Sequence, residues 1–457
     1  MKEITLISMH KILVNKWAPV TPLGPLYLIA SLEQNGFSVD FRDYQFTDHK
    51  SYFDVDNLVR FLEGGSDIIG VSCMSNMLPF VILAAKRLKE KYPKKTIILG
   101  GTGPTSVANL IIKHFPFVDI VVRGEGEETI VELLNNLNSM KDINSVAGIN
   151  FRKGRQIQFN PGRNRIEYLD NLPSPYKSSL DLTCYKRKCI LTGRGCAYNC
   201  IFCAIPRLCG RRVCFRSIDE VIKEIKLIYE QDSNDFKISL NDDTFVLKKE
   251  RVLEFCRKLK KLNLIEPKWT CNARIDLMDE ELMQAMSESG CFSVCYGVES
   301  GSDRILRRLN KGFSSQDVVK IITKSKKYFT DMKVNFIWGF PFETMQDFYD
   351  SVLIFLFLRA EGISCWVRLA APLASSGLYE QYKNRLRFSE ELISSIAWAR
   401  LPGLSLDKEI VGLIKRYPNI FPDFYYFDSK DIFKKKQRIE RIIYSSGKKK
   451  EEDYRNG

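Results

Sequence analysis

Twice along its length the chain alternates strand-length apolar runs with helix-length amphipathic stretches, and this repeated alternation restricts the fold more than any other feature. In the first array the runs are Ile4–Ser8, Phe37–Phe41, Asp67–Ser72, Thr96–Gly101 and Val118–Val122, with a helix expected from Pro22 to Glu33 and further helical stretches between the later runs. Continuous apolar strands joined by helical crossovers belong to a parallel sheet covered on both faces. Residues 1–140 are therefore expected to form a doubly wound, flavodoxin-like parallel-sheet domain, with ligands beyond the carboxyl ends of its strands. The second array runs through Cys189–Thr192, Phe236–Leu240, Lys268–Arg274, Phe292–Val298, Lys333–Gly339 and Ser364–Ala370. Helices are expected after Ser217, where Glu220 would complete a capping box, and over Asp279–Ser289, Ser302–Leu309 and Thr344–Leu358. Six strands with intervening helices predict a partial (β/α)6 barrel over residues 186–372, with functional residues at the carboxyl ends of the strands.

Between the arrays, residues 141–185 read as a hairpin turning at Lys153–Gly154 and a linker closed by Leu172–Pro175, which marks a domain boundary. Residues 373–457 are expected to be a mostly helical, substrate-binding or capping region with a basic tail. Within it, Pro402 to Pro418 suggests a helix between prolines, and Phe421–Phe427 suits packing or the lining of a substrate channel. The runs Phe433–Arg438 and Lys448–Lys450 read as a solvated helix and a frayed end. No apolar run approaches the roughly 20 residues of a membrane span, and a cytoplasmic protein without a signal peptide is expected.

One cysteine, Cys73, stands in the first 180 residues, and the other twelve fall between Cys184 and Cys365. Such clustering points to metal or redox chemistry in a reducing compartment. Its centre is Cys196-Ala-Tyr-Asn-Cys200-Ile-Phe-Cys203, whose three thiols suit three irons of a 4Fe-4S cluster. Full cysteine ligation takes four, so one iron would stay open to a substrate or cofactor. The alternative is a zinc site completed by Cys209 or Cys214 in a basic nucleic-acid-binding module, since the formal charge is +14. Much of that charge surrounds the thiols, as Lys186, Arg187, Lys188, Arg194, Arg207, Arg211, Arg212 and Arg216, and an anionic cluster needs cations nearby. Nucleic acid is not the expected partner. Cys291 and Cys295 repeat the C-x3-C spacing but lie on a predicted strand, where they are read as facing one core side.

The strand ends of the second array carry polar groups. They are Asn241-Asp242-Asp243, then Arg274 and Asp276, then Glu299-Ser300-Gly301, then Gly339-Phe-Pro-Phe-Glu343-Thr344. With the thiol motif, these resemble the radical SAM superfamily, over about residues 185 to 372. By that resemblance Cys196, Cys200 and Cys203 bind the cluster and S-adenosylmethionine takes the open iron. Phe202 would pack near the adenine, and Asp242 or Asp243 would contact the methionine amino group. Glu299 and Ser300 would approach the ribose, and Gly339 to Glu343 would shape the adenine pocket. Arg274 would pair with the methionine carboxylate or form a structural salt bridge.

The first array ends its strands with Ser72-Cys-Met-Ser75-Asn76, Gly100-Gly101-Thr-Gly-Pro-Thr and Gly124-Glu-Gly126. Together with Pro22-Leu-Gly-Pro-Leu and Arg123–Thr129 they resemble the cobalamin-binding domain that precedes many radical SAM enzymes, which implies cobalamin contacts at Ser72, Ser75, Gly100, Gly101, Gly124 and Gly126. The D-x-H-x-x-G motif that places a histidine on cobalt is lacking around His10, so binding without histidine ligation is expected. A second cysteine trio in the first domain, as in methylthiotransferases, is lacking, and so are cysteines beyond Cys365. The resemblance then implies a cobalamin-dependent C-methyltransferase. In that chemistry a cluster electron cleaves S-adenosylmethionine to a 5'-deoxyadenosyl radical that takes hydrogen from an unactivated carbon, and methylcobalamin methylates the resulting radical. A small-molecule or peptide substrate and an electron donor such as flavodoxin or ferredoxin are the implied partners. Cyclisation, rearrangement or oxidation with the same cofactors is the alternative reaction.

Overall fold

A computed structural model describes residues 3–9, 19–47, 54–232, 236–262, 268–393, 395 and 406–445; His10 lies outside them. The chain divides into two compact units, one from residues 1–13, 21–182 and 401–424, the other from residues 14–20, 183–400 and 425–457.

In the first unit the strands are β1 (Ile4–Met9), β2 (Val39–Asp43), β3 (Ile68–Cys73), β4 (Thr96–Gly100), β5 (Ile120–Val122), β6 (Ile149–Lys153) and β7 (Gln156–Phe159). They form one sheet in the order β2-β1-β3-β4-β5-β6-β7. The first five are parallel, and their order is that of flavodoxin-like folds, with the switch point between β1 and β3. All six residues of β1 are buried, as a strand covered by helices on both faces must be. The hairpin, expected in a linker, is instead the edge of this sheet. β6 pairs antiparallel with β5, Ile120 opposite Phe151, and β7 follows it. With only three residues β5 is a short edge, and the apolar side chains of Ile149 and Phe151 bury against it rather than in a separate layer.

A second departure concerns residues 406–424, expected in a C-terminal substrate region. The helix Lys408–Arg416 buries Ile410 and Ile414, and the rings of Tyr417 and Phe421 pack on Phe115 of the first unit.

The second unit holds β8 (Arg187–Ile190), β9 (Gly193–Arg194), β10 (Cys214–Phe215), β11 (Lys237–Leu240), β12 (Trp269–Ala273), β13 (Cys291–Glu299), β14 (Asp331–Trp338) and β15 (Ser364–Leu369). Six of these form a wholly parallel sheet in chain order, β8-β11-β12-β13-β14-β15. One face, with Trp269, Val294, Tyr296 and Val334, is completely buried, and the residues between them are half-buried or exposed. Side-chain caps start the helices at Ser217, Asp279, Ser302, Ser314 and Thr344, with full capping boxes at Ser314/Asp317 and Thr344/Asp347. At Ser217 the hydroxyl accepts from the Glu220 N–H, while the Glu220 carboxylate pairs with Lys223. The C-terminal part adds the antiparallel pair β16 (Leu386–Arg387) and β17 (Tyr426–Phe427) and the helices Gly377–Tyr382, Glu390–Ile393 and Ile432–Ser445. No helix among the described residues is long and apolar enough to cross a membrane.

Three further expectations are corrected in this unit. Cys291 and Cys295 face opposite sides, because a bulge sets Cys291 opposite Trp269 but Ser293 opposite Thr270, and one extra residue reverses a strand's facing. Cys291 lies by Cys271 and Cys256 in the buried layer, whereas the Cys295 sulfur accepts from Asn335 Nδ2 at 3.2 Å. Of the cations read as surrounding the thiols, Lys188 and Arg216 are buried ion pairs, with Asp232 and with Glu224, each at 2.7 Å. The basic helix is not solvated throughout: Lys435 and Lys436 are buried.

Candidate active site

The thiol loop springs from the end of β8 and is closed at its base by the two-residue ladder of β9 with β10. Gly193 permits this closure, since a Cβ there would lie 2.9 Å from the Phe215 ring. All three thiols are half-buried. Cys196 Sγ lies 3.6 Å from Thr244 Oγ1, at the end of β11. Cys200 Sγ lies 3.8 Å from Arg274 and 3.9 Å from the Asn310 carbonyl. Between the last two thiols, Ile201 and Phe202 pack on a buried cluster that includes Phe340, Leu378 and Phe427, and the Ile201 backbone bonds to Leu309 and Leu378. The loop is thereby anchored through its apolar residues, leaving the thiols at the surface of the anchor.

Burial raises the Cys200 thiol, opposed by Lys311 and Arg274, and pushes Cys203 up to about 12. Three soft donors on one loop, with Lys311 and Arg274 facing Cys200, fit an iron–sulfur cluster. Among the described residues no three His, Cys, Asp or Glu side chains are placed to hold a single metal ion.

Of the predicted S-adenosylmethionine residues, the structure brings some to the mouth and turns others inward. Asp243 is exposed and accepts from the Gly195 N–H at 3.2 Å, whereas Asp242 is buried. Asp242 accepts from the Thr192 N–H at 2.7 Å and from the Thr192 hydroxyl, pinning the end of β8, and burial pushes its pKa up to about 6. Asp243 is the member of the pair whose side chain reaches the surface beside the thiol loop. Glu299 stands at φ +74 beyond a register shift in β13, its carboxylate 3.5 Å from Lys311. A Cβ at Gly297 would meet that carboxylate at 2.7 Å, so the glycine leaves room for its present position. Ser300 is fully buried and bonded to Ser351 at 2.9 Å, a role in fixing the helix Met345–Ala360 rather than in touching a ribose. Arg274 forms the salt bridge alternative, with two bonds of 3.0 Å to Asp276. Its guanidinium also lies 3.4 Å from the centre of the Tyr198 ring. Glu343 accepts the Gly339 N–H at 2.9 Å, closing the turn after β14.

Sequence reasoning missed Tyr198, Asn310 and Lys311. The last two sit on a turn where Asn310 and Gly312 have φ of +59 and +77; a lysine held between two left-handed turn residues was the available signal.

In the first unit, Ser72 is half-buried at the end of β3. Gly101, at φ +92, lets the turn after β4 approach β3, since its Cβ would lie 2.7 Å from the Cys73 carbonyl; at Gly103 a Cβ would lie 2.7 Å from the Ser75 nitrogen. Gly100 and Gly126 meet only side chains or ordinary contacts, whereas Gly124, at φ +76, has open space around its Cβ position. The Gly124 N–H is bonded to Thr105 Oγ1. The helices Leu78–Lys91, Thr102–His114 and Glu127–Asn138, which follow β3, β4 and β5, all start without a side-chain cap. Helix starts, glycine turns and hydroxyls suit the amide and phosphate groups of a cobalamin. Ser75 is already engaged: its hydroxyl donates to Asp423, a buried carboxyl pushed up to about 6 by burial.

The radical SAM superfamily matches residues 190–353 and the B12 binding domain matches residues 11–134. An uncharacterized methyltransferase of Pyrococcus horikoshii is 30% identical over 332 residues, 71% of each chain. The chain belongs to the cobalamin-binding radical SAM enzymes. Its fold is shared with the radical S-adenosylmethionine methyltransferase TsrM from Kitasatospora setae, solved with cobalamin and a [4Fe-4S] cluster, at a TM-score of 0.69, 16% identity and coverage of 95% and 89%. An anaerobic magnesium-protoporphyrin IX monomethyl ester cyclase of Rubrivivax gelatinosus is 27% identical over 61% of this chain and 52% of its own. This cobalamin-dependent radical SAM enzyme thus uses a 4Fe-4S cluster, S-adenosylmethionine and cobalamin, and its methyltransferase relatives support methylation.

Proposed function

We propose that this radical SAM enzyme methylates an unactivated carbon of a small-molecule or peptide substrate, in the cytoplasm, with electrons from a flavodoxin or ferredoxin. The observation that carries the reading is the half-buried thiol trio set among the polar ends of consecutive parallel strands. When bound, the cluster and S-adenosylmethionine supply radical chemistry and cobalamin supplies methyl transfer. The protein's part is to bind and orient. Cys196, Cys200 and Cys203 would hold three irons. Asp243 would accept from the methionine amino group. Arg274 and Lys311, set against Cys200 and Glu299, would keep positive charge beside the anionic cluster and the methionine carboxylate. Phe202 and the Gly339–Glu343 turn would wall the adenine. Ser72, Gly100, Gly101, Gly124 and Gly126 would line the cobalamin edge of the first unit.

Methyl-deuterated S-adenosylmethionine tests the reaction. Under anaerobic, reducing conditions with a small-molecule and peptide extract, a product should gain the labelled methyl group, and omission of the reductant should abolish it. A product that carries no label and has lost hydrogen would instead support ring formation, the reading that similarity to the cyclase favours.

A further inference from the structure

The helix Ile432–Ser445 carries Phe433-Lys-Lys-Lys-Gln-Arg, yet Lys435 has no exposed surface. An ammonium withdrawn from water needs partners of opposite charge. Lys435 Nζ lies 2.9 Å from Glu343 Oε2 and donates to the Glu343 backbone carbonyl, also at 2.9 Å. The same Oε2 accepts the Gly339 N–H. Burial raises the Glu343 carboxyl, and Lys435 opposes that rise. The other oxygen, Oε1, is buried with no hydrogen-bond partner among the described residues, so the carboxylate depends on Oε2 and its two donors.

One turn earlier on the helix, Ile432 lies against the other end of the same loop. A Cβ on Gly339, at φ +81, would stand 2.9 Å from Ile432 Cδ1 and 2.4 Å from Leu369 Cδ1. Between these fixed ends Phe340 is buried against Phe202 of the thiol loop, ring centres 6.5 Å apart. The helix therefore grips Gly339–Glu343 at both ends while the middle of the turn meets the residue between Cys200 and Cys203.

We propose that Lys435 is a positioning residue for S-adenosylmethionine: through the Glu343 carboxylate and carbonyl it fixes the turn that walls the adenine beside the thiol loop. This rests on the reading of Gly339–Glu343 as part of the S-adenosylmethionine site. It gives the helix Ile432–Ser445 work in cofactor binding that nothing in its lysine-rich sequence suggests.

The test uses the full chain, reconstituted anaerobically with cluster and cobalamin, and S-adenosylmethionine as the probe. Its dissociation constant is read from the change it causes in the spectrum of the reduced cluster. Lys435→Met should keep wild-type iron and cobalamin contents and bind S-adenosylmethionine about tenfold more weakly or worse, a change of about 1.4 kcal/mol. Lys435→Arg, which keeps the charge, should recover part of the affinity. Because Lys435→Met leaves a buried carboxylate without its cation and can fail to fold, Glu343→Leu/Lys435→Met removes both charges; it should fold and still bind weakly. Wild-type affinity in either methionine variant, or loss of the cluster from the folded double variant, would overturn the proposal. If the unaltered chain shows no S-adenosylmethionine effect on its cluster, the site reading itself fails, and this inference with it.

Discussion

Replacing Cys196, Cys200 and Cys203 together by alanine will strip the protein of its iron, from about four per chain to well below one, while cobalamin stays bound to the first unit. Each thiol has its own surroundings: Cys196 the Thr244 hydroxyl, Cys200 the Arg274 and Lys311 side, and Cys203 a position where burial raises the thiol. Four other thiols of the second unit are poor substitutes: Cys256, Cys271 and Cys291 are buried in the layer of Trp269 and Tyr296, and Cys214 is buried in β10. Iron and sulfide assays with the visible absorption of the cluster will measure the loss. Full iron retention in the triple variant would refute the ligand assignment.

The second large effect is expected from Gly101→Val. A Cβ at this position would stand 2.7 Å from the Cys73 carbonyl and 3.0 Å from the Cys73 nitrogen, both backbone atoms, at a φ of +92. With ψ at −178 this is a backbone region essentially confined to glycine, which costs an L-residue about 1–3 kcal/mol, and overpacking costs about 1–3 kcal/mol more. Melting of the first unit should fall by roughly 5–15 °C, and copurifying cobalamin should nearly vanish as the β4 turn is pushed from the β3 end. Iron content, set by the second unit, should not change. Gly162→Ala is the control, because its Cβ meets nothing within 4 Å and its φ is not positive; it should retain cobalamin. Wild-type cobalamin binding in Gly101→Val would remove this turn from the site.

Much of this arrangement is legible in the sequence because it is periodic or local. The parallel strands are continuous apolar runs, the caps are single residues before helices, and three thiols within eight positions declare a site. The unread parts depend on partners far along the chain. Nothing local in Val146–Phe159 says that its hairpin will join β5, and nothing in Lys408–Phe424 says that it will pack on Phe115. Lys188 and Arg216 read as cations around the thiols, and Lys435 as solvated charge, until their acids, Asp232, Glu224 and Glu343, are brought to them. Strand facing was lost at a single bulge, which separates Cys291 from Cys295. The adjacent residues Asp242 and Asp243 were not separable by motif; only the fold turns the first onto Thr192 and leaves the second at the mouth.

The central claim is that one chain holds both a site-open cluster and a cobalamin. Anaerobically purified and reconstituted full-length protein should therefore be assayed for iron, sulfide, zinc and cobalamin together. About four irons and four sulfides per chain are expected, with cobalamin bound at close to one equivalent. Zinc in place of iron and sulfide, or a complete cluster with no cobalamin retained, would contradict that claim.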